Sequence, residues 1–366
     1  MGPPEQDISQ QDTSQQDTSG QDISGQDISE QVDRHVSGVL AGDRTWLART
    51  ITLVESTRPD HRAVAAEVLE QLAPHAAGAA DAHRVGITGP PGAGKSTLID
   101  ALGTHLCEQG HRVAVLAVDP SSAVSGGSIL GDKTRMARLA TAEKAFVRPS
   151  PSGGALGGVT GATLEAVEVV EAAGYDVVFI ETVGVGQSEA GVADICDTVL
   201  TVTTPAGGDE LQGIKRGLFE VTDVLVVNKA DGDLAAVAGR SVADYAAALR
   251  LLHPGRSGGS GESGEPRWEP PVLAASALEG TGLGELWTQI EAHAETLRAG
   301  GQWSTRRGDQ RVRWMWHLTE RRLMDALHAD PEVRALLPDL TEQVRSGQLQ
   351  PARAAARLLA ASRHDS

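Results

Sequence analysis

The chain has 366 residues, enough for two to three domains of about 150 residues with a full hydrophobic core, which excludes a peptide-sized or disulfide-stapled scaffold. Its 40% hydrophobic and 22% charged content is that of an ordinary soluble protein, with aromatics at only 3%, so the core must be built of Ala, Val and Leu. A net charge of −17 without a basic cluster argues against nucleic-acid binding, and no apolar run reaches the ~18–20 residues of a membrane span. The N-terminus lacks the basic flank and apolar core of a signal peptide, so a cytoplasmic location is expected. The isolated Cys107 and Cys196 fit that compartment and make neither a redox motif nor a zinc site.

In chain order, residues 6 to 30 are five tandem pentapeptides, QDISQ, QDTSQ, QDTSG, QDISG and QDISE. One Ile or Thr per repeat cannot offset ordering entropy, so residues 1–31 are expected to be a disordered acidic tail. Glu5, Asp7, Asp12, Asp17, Asp22, Asp27 and Glu30 put seven negative charges there, leaving −10 on the remaining 336 residues. Val36, Val39, Leu40, Leu47, Ile51 and Val54 then recur at roughly helical spacing. A second helix follows from Asp60 with Val64, Val68, Leu69 and Leu72 on one stripe, which gives a helical segment over 32–80.

From Arg84 to about Arg298, the β-branched runs RVGITG, RVAVLAV, AFVRP, YDVVFIE, DTVLTVTT, TDVLVVN and PVLAAS alternate with helical patterns. Runs apolar on both faces and separated by helices predict an α/β fold, a P-loop NTPase type domain over 81–299 with a mostly parallel sheet covered on both sides. The stretch 254–271, PGRSGGSGESGEPRWEPP, reads as a flexible insertion. After a break at residues 300–302, three helical patterns occupy the rest, 300–366. Trp316, Leu323 and Leu327 share one stripe, Val333, Leu336, Leu337, Leu340 and Val344 another, and an Ala-rich segment closes the chain; these stripes read as packing onto the G domain or between subunits.

Gly89, Pro90, Pro91, Gly92, Ala93, Gly94, Lys95 and Ser96 spell a full Walker A motif, followed by Thr97, after a predicted strand and at the start of a predicted helix. That context lets backbone amides and the helix N-terminus hold phosphates, with Lys95 reaching the β and γ oxygens and the Ser96 hydroxyl binding Mg²⁺. Asn228, Lys229 and Asp231 form NKAD directly after the strand TDVLVV. The Asp231 carboxylate can accept from guanine N1–H and the exocyclic amine together, a donor pair adenine lacks. The stem of Lys229 would cover the base, and Ser276, Ala277 and Leu278 supply a second base-side loop, so GTP and GDP are the expected nucleotides. The Walker B strand ends in Glu181, placed to hold the Mg²⁺ shell, and the Gly184 amide can sense the γ-phosphate. Val185 stands where Ras-like GTPases carry a water-orienting Gln, so slow intrinsic hydrolysis is expected, with Gln187 a weak substitute. Only five lysines occur against 27 arginines, and Lys95, Lys133, Lys215 and Lys229 are four of them, which marks Lys133 and Lys215 as switch candidates.

On these motifs, and on AVDPSS at 117–122, SGGSILGDKTRM at 125–136, ETVGVGQSE at 181–189 and GDELQGIKRG at 208–217, the chain resembles the MeaB-type (ArgK-like) GTPases. The resemblance covers about residues 32–362. It implies a SIMIBI-class G domain with an N-terminal helical segment and a C-terminal helical dimerisation arm, and hence a homodimer. It implies a chaperone of a cobalamin-dependent acyl-CoA mutase, most specifically methylmalonyl-CoA mutase, with an adenosyltransferase as a further partner. By resemblance, Asp119, Asp132 and Glu181 join Ser96 around Mg²⁺, and Lys215 belongs to a mutase-responsive loop and, with Lys95 and Glu181, to the catalytic set. Two other readings stand beside this one. Nickel-delivery GTPases for urease or hydrogenase maturation share the fold but carry His-rich tracts or CxxC sites, whereas the eleven His here are scattered. A kinase reading lacks an HRD catalytic-loop motif.

Overall fold

A computed structural model describes residues 25–56, 58–78, 82–119, 136–151, 161–182, 191–205, 216–252 and 268–362. Among the described residues seven strands form one sheet: β1 His83–Thr88, β2 Val113–Asp119, β3 Ala145–Pro151, β4 Val177–Thr182, β5 Thr198–Thr203, β6 Val224–Val227 and β7 Val272–Ala274. All seven lie within or overlap the predicted runs, their order is β3-β2-β4-β1-β5-β6-β7, and every pairing is parallel. The period-two alternation of a strand decides which core each residue joins. Val113, Val115, Val177 and Phe179 face one core, while Ala114, Leu116, Val178 and Ile180 face the other.

Among the described residues three helices precede the sheet: α1 Gly25–Leu40, α2 Arg44–Glu55 and α3 Pro59–Gly78. The domain helices are α4 Lys95–Glu108, α5 Ala137–Thr141, α6 Gly161–Ala172, α7 Arg216–Val221, α8 Ala235–Leu252 and α9 Leu283–Ala299. The chain ends in α10 Gln302–Ala329, α11 Pro331–Arg345 and α12 Pro351–Ala361. One face of the sheet is covered by α4 and α9, through Leu98, Leu102, Leu286 and Ile290. The other face carries α6 with the three N-terminal helices, so Val32, Leu47, Ile51, Val68 and Leu72 share a core with Leu164, Val167 and Ile180.

Two expectations are corrected and a third is narrowed. The tail does not run to residue 31 as a unit, because α1 begins at Gly25 inside the repeat tract. Ile28 of the last repeat falls four residues before Val32 and joins the same apolar stripe, so the helix extends into the repeat. The stripe from Val36 to Val54 is two helices, broken at Gly42 and restarted by Asp43, whose carboxylate accepts from Thr45 N and Trp46 N at 2.7 and 3.1 Å. Of the two readings of the α10 stripe, packing on the domain does not hold, since Trp316 is 59% and Leu323 66% exposed and the buried positions are Arg307 and Gln310, and the reading between subunits stays open. Most of the predicted insertion lies outside the described residues. Its end does not hang free, since Trp268 is half-buried and donates Nε1–H to the Asp223 carbonyl at 2.7 Å.

A buried polar layer lines the amino-terminal edge of the sheet. Arg84 makes a two-pronged bond to Glu171 of α6, both contacts 2.6 Å, and Arg307 of α10 grips Asp197 at 2.8 and 2.6 Å. Burial alone would raise the Asp197 carboxyl, and the bonds and charge of Arg307 reverse this and hold it below the usual carboxylate range. Beside them Thr198 Oγ1 bridges His83 Nε2 and His293 Nδ1, each at 2.8 Å. Burial pushes the His83 imidazole down to about 3, so His83 is neutral in the folded protein. The unfolded chain takes up that proton near its ordinary value of 6.5, so acidification below that point favours unfolding by about 1.4 kcal/mol per pH unit until pH 3. Melting scans should therefore show stability falling from pH 6.5 to pH 5, with a shallower fall in His83→Gln. An equal slope in the two proteins would assign the acid sensitivity to groups other than His83.

Candidate nucleotide site

The site lies at the carboxyl ends of β1, β4, β5 and β6, where ligands bind in open α/β sheets. β1 runs into Gly89, whose φ of 140° is open only to glycine and whose Cβ would stand 2.0 Å from the Val202 carbonyl oxygen. Gly94, at φ 85°, turns the chain into α4 against Asn228, whose Nδ2 lies 2.6 Å from where a Cβ would be. Between these pivots the loop curls over the N-terminus of α4. Lys95 is buried and folds back on the loop, its Nζ donating to the carbonyls of Gly89 at 2.8 Å and Pro90 at 3.2 Å. Ser96 is half-buried and Thr97 exposed on the first turn of α4, and Pro91 and Gly92 form the exposed tip of the loop.

Glu181, at the end of β4, receives the Ser96 hydroxyl on Oε1 at 2.8 Å. A hydroxyl and a carboxylate brought together at a helix N-terminus are hard oxygen donors suited to Mg²⁺, which takes one or two protein carboxylates and fills its remaining positions with phosphate oxygens and water. Asp119 closes β2, two strands from β1 and next to β4. Asp132, Gly184 and Lys215, with Lys133, Val185 and Gln187, lie outside the described residues.

The second half of the site is assembled by Asn228. It is fully buried, and its Nδ2 donates to the Ala93 carbonyl at 3.0 Å while its Oδ1 accepts the Ala277 N–H at 3.2 Å. One side chain thus fastens the phosphate loop to both base-side loops. Lys229 follows with φ 61°, a left-handed conformation uncommon outside glycine, and its Cε lies within 3.8 Å of the position a Gly94 Cβ would take. That turn lays the Lys229 stem alongside the phosphate loop. Asp231 accepts a short hydrogen bond from the Ser276 hydroxyl. Ser276 in turn receives the Glu279 N–H at 3.1 Å and pairs with Thr281, so Ser276 and Asp231 are held as a unit. Ala277 is buried, whereas Leu278 projects outward at 82% exposure, so only its backbone is near the pocket wall.

The structure therefore brings together the Walker A residues, Glu181, NKAD and SAL from four separate stretches. The motif reading missed the bonding of Asn228, because sequence order does not show which loops a side chain joins. It missed the left-handed Lys229 too, for which the sequence offers no signal.

A sheet with this strand order, a phosphate loop at the end of its central strand and a carboxylate reader beside it define a P-loop GTPase. The sequence model described as "Methylmalonyl Co-A mutase-associated GTPase MeaB" matches residues 47–332, and the chain belongs to that family. It is 52% identical over 330 residues to "Probable GTPase Rv1496" of Mycobacterium tuberculosis, covering 90% of this chain and 95% of that protein. It is 46% identical to the mouse protein "Methylmalonic aciduria type A homolog, mitochondrial", covering 91% and 80%. Among solved structures, the one described as "LAO/AO transport system kinase" superposes with a TM-score of 0.66 at 35% identity, covering 90% of this chain and 96% of that one.

The base-side geometry yields a direct test. Asp231→Asn should weaken GTP binding by at least tenfold, about 1.4 kcal/mol, and admit xanthosine triphosphate, whose 2-oxo group can accept from the new amide. Competition against a fluorescent GTP analogue reads both effects, and unchanged GTP preference in the variant would place the base elsewhere.

Proposed function

We propose that this GTPase is the chaperone of a cobalamin-dependent acyl-CoA mutase, most specifically methylmalonyl-CoA mutase. It gates adenosylcobalamin loading and protects or reactivates the mutase, acting as a homodimer in the cytoplasm with an adenosyltransferase as a further partner. The observation that carries this reading is the Asn228 side chain joining the Walker A loop to the SAL loop, in a chain whose family is described by association with that mutase. In this reading Gly89 to Thr97 hold the phosphates, and Lys95 swings from its loop carbonyls to the β and γ oxygens. Asn228, Lys229, Asp231, Ser276, Ala277 and the Leu278 backbone hold guanine. Ser96 and Glu181 fit Mg²⁺, with Asp119 and Asp132 completing its water shell, and the ion when bound neutralises charge developing on the phosphates. The exposed Val312, Met315, Trp316 and Leu323 of α10 support an arm that pairs with a second copy.

The nickel-delivery alternative is not favoured, because the family model and the relatives that match are of the mutase-associated type. No described helix is long and apolar enough to cross a membrane.

Val185 leaves no water-orienting Gln beside Gly184, so the reaction needs a group that arrives with a partner, and an added cation of this kind raises GTPase rates ~10³–10⁵-fold. Lys215 is the proposed source. Lys215→Ala should keep GTP affinity and the slow basal rate while losing most of the mutase-stimulated rate, and Lys95→Ala should impair both binding and hydrolysis. Single-turnover hydrolysis with and without methylmalonyl-CoA mutase measures this. Full stimulation of the Lys215 variant would move the role to Lys133 or Gln187, and no stimulation of the native protein by the mutase would end the chaperone reading.

A further inference from the structure

The last two residues of β5 stand under both halves of the site. Successive carbonyls of a strand point to opposite neighbours, so those of Val202 and Thr203 face different ways. The Val202 carbonyl lies on the β1 side against Gly89, where it leaves no room for a Cβ. The Thr203 carbonyl lies on the β6 side and accepts the Asn228 N–H at 2.8 Å. Asn228 is therefore footed on Thr203 through its backbone, while its side chain joins the phosphate loop to the Ala277 loop.

Thr203 pairs in register with Val227, and its side chain reaches α8 on the face where Val227 is packed. There its hydroxyl lies 3.2 Å from the hydroxyl of Tyr245, and both residues are buried. The Tyr245 ring sits among Phe219, Leu225, Val227, Ala238 and Leu249, an apolar cluster that phenylalanine would fill equally well. A buried hydroxyl costs free energy unless it is bonded. A tyrosine in this cluster therefore points to a use for the hydroxyl, and Thr203 is within its reach.

We propose, on the reading of Asp231 and Ser276 as the base-side pair, that Tyr245 is a positioning residue for guanine. Its hydroxyl holds Thr203, Thr203 holds the Asn228 backbone, and Asn228 sets where Lys229 and Asp231 meet the base. Tyr245 is buried beneath the sheet and acts through Thr203 rather than on the base itself.

The test is equilibrium binding of GTP and of inosine triphosphate, which lacks the exocyclic amine, to the full-length protein with Mg²⁺. The native protein should prefer GTP, because Asp231 accepts from N1–H and the amine together. Tyr245→Phe should weaken GTP binding about fivefold and inosine triphosphate binding less than about twofold, so that the preference narrows. Thr203→Val, which keeps the shape of the side chain, should do the same, and the double variant should lose no more than either single one. Leu249→Ala takes packing from the same cluster but keeps both hydroxyls, and it should lower the melting temperature while retaining the preference for GTP. An unchanged preference in Tyr245→Phe, losses that add in the double variant, or an equal narrowing in Leu249→Ala would overturn the proposal. If Thr203→Val does not fold, the comparison of Tyr245→Phe with Leu249→Ala decides. Asp231→Asn is the reference: if it too leaves the preference unchanged, the base-side reading fails and the role of Tyr245 with it.

Discussion

A loop that binds phosphates has to turn its N–H groups toward one point, and this leaves its carbonyls pointing away with no secondary structure to receive them. Here the Gly89 and Pro90 carbonyls take the Lys95 ammonium, and the Ala93 carbonyl takes the Asn228 amide. Gly89 is in turn pressed against the Val202 carbonyl with no room for a side chain. The Asn228 bond and the Gly89 packing thus fix the loop from the side that phosphate does not use, and everything nearby is positioned relative to it: Glu181 through Ser96, and Ala277 through Asn228.

The two edges of the sheet divide the work. The carboxyl edge ties its polar groups to the loops of the site, Lys95 and Asn228 to loop carbonyls and Ser96 to the Glu181 carboxylate. The amino edge buries Arg84, Asp197, Glu171 and Arg307 in mutual bonds. Such pairs add little net stability against apolar replacements, but loss of one partner strands a buried charge at a cost of about 3–5 kcal/mol. What they contribute is position, because Arg307 brings α10 to one place on the domain, and its Nη2 also reaches the Ala82 carbonyl just before β1.

Much of this was legible in the sequence because the chemistry is local. A parallel strand covered on both faces writes itself as a run of Val, Leu and Ile, and the Walker and NKAD motifs lie beside the turns that aim them. What could not be read depends on distant pairs or on polar packing. Composition made the repeats look incapable of structure, yet Ile28 falls in step with Val32, and a neighbouring core accepts both. On α10 the search for an apolar stripe found Trp316 and Leu323, which face outward, and passed over Arg307 and Gln310. Nothing short of the fold shows that Asp197 and Cys196 wait for them.

The strand order carries a consequence for synthesis. β1 is central, yet both of its neighbours, β4 and β5, come much later in the chain, with His83 paired to Val177 and Val85 to Thr198. At about 5–20 residues per second on the ribosome, β1 has left the decoding centre on the order of 5–20 s before β4 is made. During that interval β1 lacks both of its sheet partners and leaves two edges open, and the early helices await α6 to complete their core. The segment that carries the phosphate loop is therefore the part of the nascent chain most in need of shelter, and slowing of translation before residue 182 would lengthen its exposure to wrong edge pairing.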